Sequence, residues 1–243
     1  VCLSDSMHGI LTHIYKIPTR KIIKIENGLS GNHRVSKRIS RKSARKELGL
    51  PKSSEVIIYV GRPVRNKGFD ALIIAIKELR KKRPDLRCVI AGDVNKVVGR
   101  WALCKECAAN IILPGFLTRS ELGKWYAAAD IGVMPSYSEQ CSFASMEMME
   151  SGLPVVSSDG IGHRDMFNKD TNAFVVSIGN VVKVRKYAKR LSVKIDEALS
   201  SSALLRRRFA AYNRKLLTIK YSASVMAEKY IAMFHDILSD SSH

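Results

Sequence analysis

Residues 55–83 read EVIIYVGRPVRNKGFDALIIAIKELRKKR, and this stretch determines the fold class. Its first seven residues form a short, β-branched apolar run that ends in glycine, as is typical of a buried strand. From residue 67 to residue 83, apolar side chains recur at intervals of three and four positions, namely at Phe69, Leu72, Ile73, Ile76 and Leu79. This periodicity predicts an amphipathic helix directly after the strand.

The same strand-and-helix unit recurs along the chain. Further strands are predicted at 87–92, 110–115, 131–136, 153–158 and 173–177, with helices at 96–108, 119–129 and 142–151. Strands that are apolar on both faces and alternate with helices indicate right-handed crossovers and a parallel sheet that is covered on both sides. The sequence therefore predicts an α/β fold with a doubly wound parallel sheet, whose ligands bind outside the carboxyl ends of the strands.

The segments on either side of this sheet have a different composition. Residues 179–243 lack strand patterns and predict two or three carboxy-terminal helices that pack on the sheet. Residues 30–54 are basic and poor in aromatic residues, which indicates a basic linker with a short helix at 42–48. We expect residues 1–29 to be the end of a preceding domain. The predicted Rossmann-like domain then covers residues 55–178.

Charge is distributed unevenly along the 243 residues. The chain carries 41 Lys and Arg against 22 Asp and Glu, a formal net charge of +19. Residues 1–54 contribute +9 and residues 180–243 contribute +8, whereas residues 55–179 contribute only +2. No DNA- or RNA-binding motif accompanies the basic ends, so we expect no specific nucleic-acid partner. A solvated surface and an anionic membrane surface remain as alternative explanations of the surplus.

The cysteines and the hydropathy pattern indicate a compartment. Five cysteines are an odd and small number, which is typical of a reducing compartment, and no apolar window is long enough for a membrane span. We therefore expect a cytoplasmic protein, with a peripheral position on the inner face of the membrane as an option. Cys104 and Cys107 form a C-x-x-C pair without a second pair of ligands, so we interpret them as helix thiols and expect no bound metal.

Two loops at the predicted carboxyl edge of the sheet contain candidate functional residues. In the loop at 60–70, Arg62, Arg65 and Lys67 lie between Gly61 and Gly68, which makes a local anion cradle. Taken alone, charged side chains in such a loop more often lie on the solvated surface without a ligand. This loop is neither a P-loop nor a G-x-G-x-x-G motif.

The second loop spans residues 136–156. Ser142, Phe143 and Ala144 fall at the first turn of a predicted helix, where backbone N–H groups and the helix dipole favour a phosphate. Glu139 precedes this turn and Glu147 follows it by one turn, and carboxylates accept hydrogen bonds from hydroxyl groups. A diphosphate that joins a ribose to a sugar has this order of charges and hydroxyls. On spacing alone, both glutamates could equally be ordinary exposed acids.

In their order, these motifs resemble a known enzyme family. The chain has a strand ending in VGR with KG five residues beyond the arginine, a turn at Gly115 and a Y-x-x-A-D helix end at 126–130. An E-x₇-E motif then runs into SGLPVV, and IIKIENGL at 22–29 resembles the segment between two domains. This combination resembles the donor-binding half of the retaining glycosyltransferases of family four, which have the GT-B fold. The variant EQCSFASMEMMESGLPVV resembles a subgroup found in Bacteroidales-type bacteria.

The resemblance implies a role for each matching residue. Arg62 and Lys67 would neutralise the donor diphosphate and stabilise the leaving nucleoside diphosphate, and Glu139 would bind hydroxyls of the transferred sugar. The remaining residues that it implies for the donor site are Gly61 in the loop at 60–70, Leu117 and Thr118 near the base, Ser142, Phe143 and Ala144 at a phosphate, and Glu147 at the ribose. The resemblance also implies that residues 1–29 are the end of the amino-terminal, acceptor-binding domain together with the interdomain segment. The implied reaction transfers a hexose from a nucleotide-diphosphate sugar to a glycan, lipid-linked or other acceptor, without a metal or other cofactor.

This sequence departs from the family pattern at two places. Gln140, Cys141 and Ser142 follow Glu139 where most members have glycine, an aromatic residue and glycine, so the contacts to the sugar are less certain. In DGIGHRD, Asp165 stands where glutamate is common. His163 in this loop could act as a base, but a loop histidine is more often a hydrogen-bonding surface residue.

Two other functions are compatible with the sequence. A nucleotide-sugar epimerase shares the two-domain architecture and would not release nucleoside diphosphate when an acceptor is added. A basic module that binds acidic membranes or nucleic acid would depend on Arg206, Arg207 and Arg208 and not on Glu147.

Overall fold

The computed structural model describes residues 1–30, 39–93, 109–179 and 183–240. Within them, six parallel strands form one sheet of order β3-β2-β1-β4-β5-β6. The strands are β1 (Val56–Val60), β2 (Arg87–Ala91), β3 (Ile111–Gly115), β4 (Ile131–Met134), β5 (Val155–Ser158) and β6 (Phe174–Val176). The predicted α/β, doubly wound parallel sheet is therefore confirmed. The strand order reverses between β1 and β4, which makes the gap between them the topological switch point.

Helices cover both faces of the sheet. They are α1 (Asp5–His13), α2 (Arg41–Glu47), α3 (Phe69–Leu79), α4 (Arg119–Ala128), α5 (Phe143–Glu150), α6 (His163–Met166), α7 (Val184–Ser200), α8 (Ala203–Ile219) and α9 (Ala223–Asp240). On one face, Leu72 and Ile76 of α3 and Leu191 of α7 belong to one buried apolar cluster. On the other face, Trp125 of α4 and Met146 of α5 belong to a second cluster. The carboxyl edge of the sheet is left open between these layers.

Helix α3 begins at Phe69, two residues later than the periodicity predicts. Residues Arg65–Lys67 form a 3₁₀ turn, and Gly68 follows it in the left-handed conformation, with φ at +67°. A Cβ atom on Gly68 would lie 2.0 Å from the carbonyl oxygen of Pro135. Glycine therefore allows the loop after β1 to pack directly against the chain that leaves β4.

Residues 1–30 and 39–54 are packed against the sheet domain. Leu29 forms a parallel bridge with Ser222, and α1 is joined to Asp165 of α6 by the backbone N–H and hydroxyl of Ser6, which both donate to its carboxylate. The short helix predicted in the basic linker is α2, which contacts α4. Its Arg45 is buried and hydrogen-bonded, so this end of the basic stretch is part of the packed structure.

Several expectations concern other parts of the chain. The helix predicted at 96–108, with the Cys104 and Cys107 pair, lies outside the described residues. The three carboxy-terminal helices are present as α7, α8 and α9, whereas α6 has only four residues and was not predicted. Across the four described ranges, none of the helices has the length and apolar content needed to cross a bilayer.

Candidate active site

A cleft of about 340 Å³ opens at the carboxyl ends of β1 and β4, at the switch point of the sheet. Seven of the ten residues that the sequence singled out line it: Gly61, Arg62, Lys67, Glu139, Ser142, Phe143 and Ala144. They come from two chain segments that are far apart in sequence, at 61–67 and 139–144. The parallel sheet brings these segments together because all its strands end at the same edge. Arg65, from the same basic loop, lies outside the lining and is exposed.

The loop after β1 is anchored by Tyr59. This buried phenol donates a hydrogen bond of 2.7 Å to the backbone carbonyl of Arg62. Burial, followed by the nearby charge of Glu139, raises the pKa of Tyr59 above its usual value, so the phenol stays neutral and keeps its proton as a donor. Arg62 itself is exposed towards the cleft. The backbone of this loop is thus fixed while its guanidinium can meet a ligand.

Glu139 lies at the centre of the cleft with its side chain 13% exposed. Its Oε1 accepts hydrogen bonds from Lys67 Nζ at 2.6 Å and from the Ser136 hydroxyl at 3.2 Å. Its backbone N–H donates to the carbonyl of Ile161 at 2.9 Å. Gly162, with φ at +76°, passes so close that a Cβ atom would lie 2.2 Å from the Glu139 carbonyl oxygen. The carboxylate is therefore held at a defined position beside the one lysine of the cleft lining.

The amino-terminal end of α5 forms another wall. Ser142 is the N-cap, and its hydroxyl accepts the backbone N–H of Ser145 at 3.3 Å. Phe143 and Ala144 form the first turn, and the Phe143 side chain is half exposed. The positive end of the helix dipole thus faces the same cleft as Arg62 and Lys67.

Three predicted residues lie outside the cleft lining. Glu147 is one turn beyond Ala144 on α5, and its Oε2 accepts a hydrogen bond of 2.9 Å from the phenol of Tyr126. Leu117 is partly buried against the second apolar cluster, and Thr118 caps α4. The Thr118 backbone N–H donates to Glu121 at 2.8 Å. These two residues follow β3, two strands and about 10 Å from β1.

His163 was expected to be a surface residue, and this expectation is wrong. It is fully buried in α6, with Nδ1 3.0 Å from the hydroxyl of Ser158. Burial, assisted by the positive charge of Lys67, lowers the pKa of His163 to about 3, so the ring is neutral at pH 7. Among the described residues, Nε2 has no hydrogen-bond partner. A base with so low a pKa is a poor proton acceptor.

Tyr59, Ser136 and Cys141 line the cleft but were missed as site residues. Burial raises the pKa of the Cys141 thiol to about 11, which makes it a neutral wall of the cleft. Tyr59 and Ser136 lie at the ends of apolar strand patterns, and this position next to the two candidate loops is the signal that could have identified them.

In the part of the chain that the structure describes, no three His, Cys, Asp or Glu side chains come together as a metal site requires.

A six-stranded parallel sheet of this order, with cationic side chains and a helix amino terminus at its switch point, defines a Rossmann-like α/β domain. Residues 40–216 match the family model described as glycosyl transferases group 1, and the chain belongs to this family.

Similar proteins agree with this assignment. A D-inositol 3-phosphate glycosyltransferase from Thermobispora bispora is 25% identical over 210 residues, which cover 80% of this chain and 48% of the relative. The chain thus spans about half the length of this relative. Two solved structures have the same fold. A glycosyltransferase from Rickettsia africae has a TM-score of 0.79 at 20% identity, and the match covers 97% of this chain and 62% of that chain. HepE from Anabaena, in complex with UDP and glucose, has a TM-score of 0.74 at 16% identity, and the match covers 97% of this chain and 62% of that chain.

Proposed function

We propose that this chain is the donor-binding part of a retaining hexosyltransferase that uses a nucleotide-diphosphate sugar. The observation that carries the proposal is the convergence of Arg62, Lys67 and Glu139 with the amino terminus of α5 in one cleft. Two cations and a helix dipole suit a diphosphate, and one carboxylate suits the hydroxyls of a sugar. The family membership and the UDP and glucose bound by HepE support the same type of ligand.

In this proposal each group acts on a different part of the donor. Arg62 and Lys67 bind the diphosphate, and first-turn N–H groups at Phe143 and Ala144 hold a phosphate oxygen. Glu139 accepts hydrogen bonds from the transferred sugar, and Glu147 accepts them from the ribose. The backbone near Leu117 and Thr118 contacts the base, at the far side of β2 from the cleft.

Catalysis then depends mainly on stabilising the leaving group. When the bond between the anomeric carbon and the diphosphate breaks, negative charge develops on the nucleoside diphosphate, and Arg62 and Lys67 stabilise that charge. This interaction is stronger in the transition state than in the ground state. Removing either cation therefore lowers kcat as well as raising KM in the complete enzyme. We place the acceptor, a glycan or a lipid-linked sugar, on the side of the cleft that faces the rest of the enzyme.

A calorimetric titration of this chain tests donor binding. UDP, GDP and ADP, each with and without a sugar, are titrated into the unaltered chain and into the R62A, K67A and R65A variants. R62A and K67A should each weaken the bound nucleotide by about tenfold or more, as expected for the loss of a charge-assisted hydrogen bond.

R65A is the matched control because it removes the same charge from the same loop but outside the cleft lining. It should change affinity by about twofold or less. The proposal fails if no nucleotide binds at millimolar concentration, or if R65A weakens binding as much as K67A does. In the complete enzyme, release of nucleoside diphosphate only after an acceptor is added would separate a transferase from an epimerase.

A further inference from the structure

A second cleft, of about 360 Å³, lies at the opposite end of the same strands. It is lined by Asp130 immediately before β4 and by Leu153 and Pro154 immediately before β5. Helix α5 runs between the two clefts, since its amino end lines the first and Ser151 and Gly152, just beyond its carboxyl end, line the second. The four residues of β4 separate the clefts by about 13 Å.

Four arginines line this second cleft, which we call the arginine cleft. They are Arg41 of α2 and Arg206, Arg207 and Arg214 of α8. Asp130 is the one acidic side chain of the lining, and it is already paired with Arg41 and with the buried Arg45. The lining therefore has a net charge of +3, concentrated in a concave space.

Three of these guanidinium groups have no counter-charge among the described residues, and two of the three have no hydrogen-bond partner there either. Arg206 donates a hydrogen bond of 3.0 Å to the carbonyl of Ser201. The side chains of Arg207 and Arg214 make neither a hydrogen bond nor an ion pair with any residue in the described ranges. Arg214 lies against Gly152, whose missing side chain leaves room for it: a Cβ atom there would be 2.9 Å from Nη1.

The position of the arginines is electrostatically unfavourable without a ligand. Arg206 and Arg207 lie within the first two turns of α8, and no acidic residue occupies its first turn. The amino end of a helix is its positive end and disfavours cations, an effect that declines beyond the first turn and that the negative carboxyl end of α5 opposes. Mutual repulsion within the cleft adds to this cost. A bound anion would offset both contributions at once.

We propose that the arginine cleft binds a phosphate or diphosphate group. This site is separate from the first cleft, lined by Arg62, Lys67 and Glu139, which we call the donor cleft after its proposed function. A guanidinium presents a planar fork of donors that matches phosphate oxygens, and two exposed guanidiniums can hold one such group from two sides. A soluble phosphate ester and a phospholipid head group carry this same chemistry. The proposal depends on the geometry of this cleft alone and does not require the proposed donor function.

The test uses inorganic pyrophosphate and the full chain in the R62A/K67A background, which disables the donor cleft. Calorimetry should detect one remaining site. Adding R207Q/R214Q should weaken this site by about tenfold or more. Adding R208Q/K215Q is the matched control, because these neighbours on α8 are exposed and lie outside the cleft. It removes the same two charges and should change affinity by about twofold or less. Thermal unfolding checks that both variants fold.

The proposal is overturned if R62A/K67A abolishes all pyrophosphate binding, or if both pairs of glutamine substitutions weaken it equally. A second arm identifies the source of the phosphate, with vesicles of phosphatidylglycerol and phosphatidylcholine. Vesicle binding that is lost in R207Q/R214Q, kept in R208Q/K215Q and competed by pyrophosphate assigns the cleft to a lipid head group. Pyrophosphate binding with no such vesicle binding assigns it to a soluble phosphate ester.

Discussion

Lys67 Nζ lies 2.6 Å from Glu139 Oε1, so the central cation and the central anion of the donor cleft are paired with each other. Both side chains are largely shielded from solvent. A diphosphate that enters the cleft must share or displace this lysine, and the carboxylate repels the incoming charge. Under the proposed function, the pair should lower affinity for a bare nucleoside diphosphate and favour a ligand whose sugar hydroxyls satisfy Glu139.

Substituting Glu139 by Gln should separate these two effects. Because Lys67 is released and a negative charge is removed, nucleoside diphosphate should bind about fivefold more tightly. The additional affinity for a nucleotide sugar over the nucleoside diphosphate should fall. Calorimetry measures both affinities. S136A is the control, since it removes only the weaker hydrogen bond at 3.2 Å and leaves both charges. Weaker binding of nucleoside diphosphate to E139Q would contradict this account.

Glu147 should set the preference for ribonucleotides. Its carboxylate is oriented by the Tyr126 phenol, whose pKa is raised by burial and then by the carboxylate itself. E147Q should reduce the preference for a ribonucleoside diphosphate over its 2′-deoxy form by about tenfold, because an amide is a weaker partner for a hydroxyl than a carboxylate is. Y126F keeps the charge and removes only the orienting hydrogen bond, so its effect should be smaller. An unchanged ratio in E147Q excludes Glu147 from ribose binding.

Arg45 should stabilise the fold far more than Arg41 does, although both pair with Asp130. The Arg45 side chain is 6% exposed and donates to the carbonyls of Ala128 and Ser54, at 3.0 and 2.8 Å. R45A should lower the free energy of unfolding by about 3–5 kcal/mol, since it leaves the two buried carbonyls without their donor and Asp130 with Arg41 as its one cationic partner among the described residues. R41A, at a side chain that is 49% exposed, should cost about 1 kcal/mol or less. Urea denaturation distinguishes them, and equal losses would refute the assignment.

His163 should remain neutral throughout the physiological range. Its folded pKa of about 3 lies below the ordinary value of 6.5, so the unfolded chain binds a proton that the folded chain does not. As pH falls from about 6.5 towards 3, this residue should lower stability by about 1.4 kcal/mol per pH unit. NMR should show no titration of the ring between pH 5 and 8, and H163N should have a shallower acid dependence of stability. A ring that titrates near pH 6.5 would show the prediction to be wrong.

Glu26 should attach residues 22–29 to α9. Its carboxylate is 5% exposed and lies 2.5 Å from Lys229 Nζ, with Lys24 and Lys220 at 3.5 and 3.8 Å. Burial opposes its ionisation, but the hydrogen bond from Lys229 and the nearby lysine charges outweigh burial and lower the pKa below 4.5. Its stabilisation is therefore fully present above pH 4.5 and is lost as pH falls through the lowered value.

E26Q should cost about 2 kcal/mol at pH 7, and its difference from the unaltered chain should shrink in acid. The matched control is E228Q, an exposed carboxylate next to Lys229 on α9, which should cost about 0.5 kcal/mol or less. Chemical denaturation at pH 7 and pH 3 measures both. A cost for E26Q that does not depend on pH would contradict the assignment.

Periodicity predicted the sheet well because each strand is apolar on both faces and each covering helix has one apolar face. It placed the start of α3 two residues early, because apolar spacing does not register the left-handed turn at Gly68. The four-residue α6 is too short to show a helical period, which is why His163 was expected on the surface. Its burial results from tertiary packing that no local pattern encodes.

The candidate site was predictable where it depends on strand ends and less so where it depends on pairing. Seven predicted residues converge because parallel strands end at one edge. The pairs Lys67–Glu139 and Tyr126–Glu147 join residues that are 72 and 21 positions apart, and only the fold brings them together. Arg45 belongs to a basic run in which buried and solvated arginines have the same sequence signature.

Helix α5 serves the two clefts in different ways. At its amino end, the proposed phosphate recognition draws on main-chain N–H groups, which every sequence that forms the helix supplies. At its carboxyl end, where the dipole is negative, the proposed recognition depends on arginine side chains alone. Substitution of a few arginines can therefore create or remove the charge of the arginine cleft. The backbone N–H groups at the donor cleft remain when side chains are substituted. Homologues that share the first cleft are free to differ in the second.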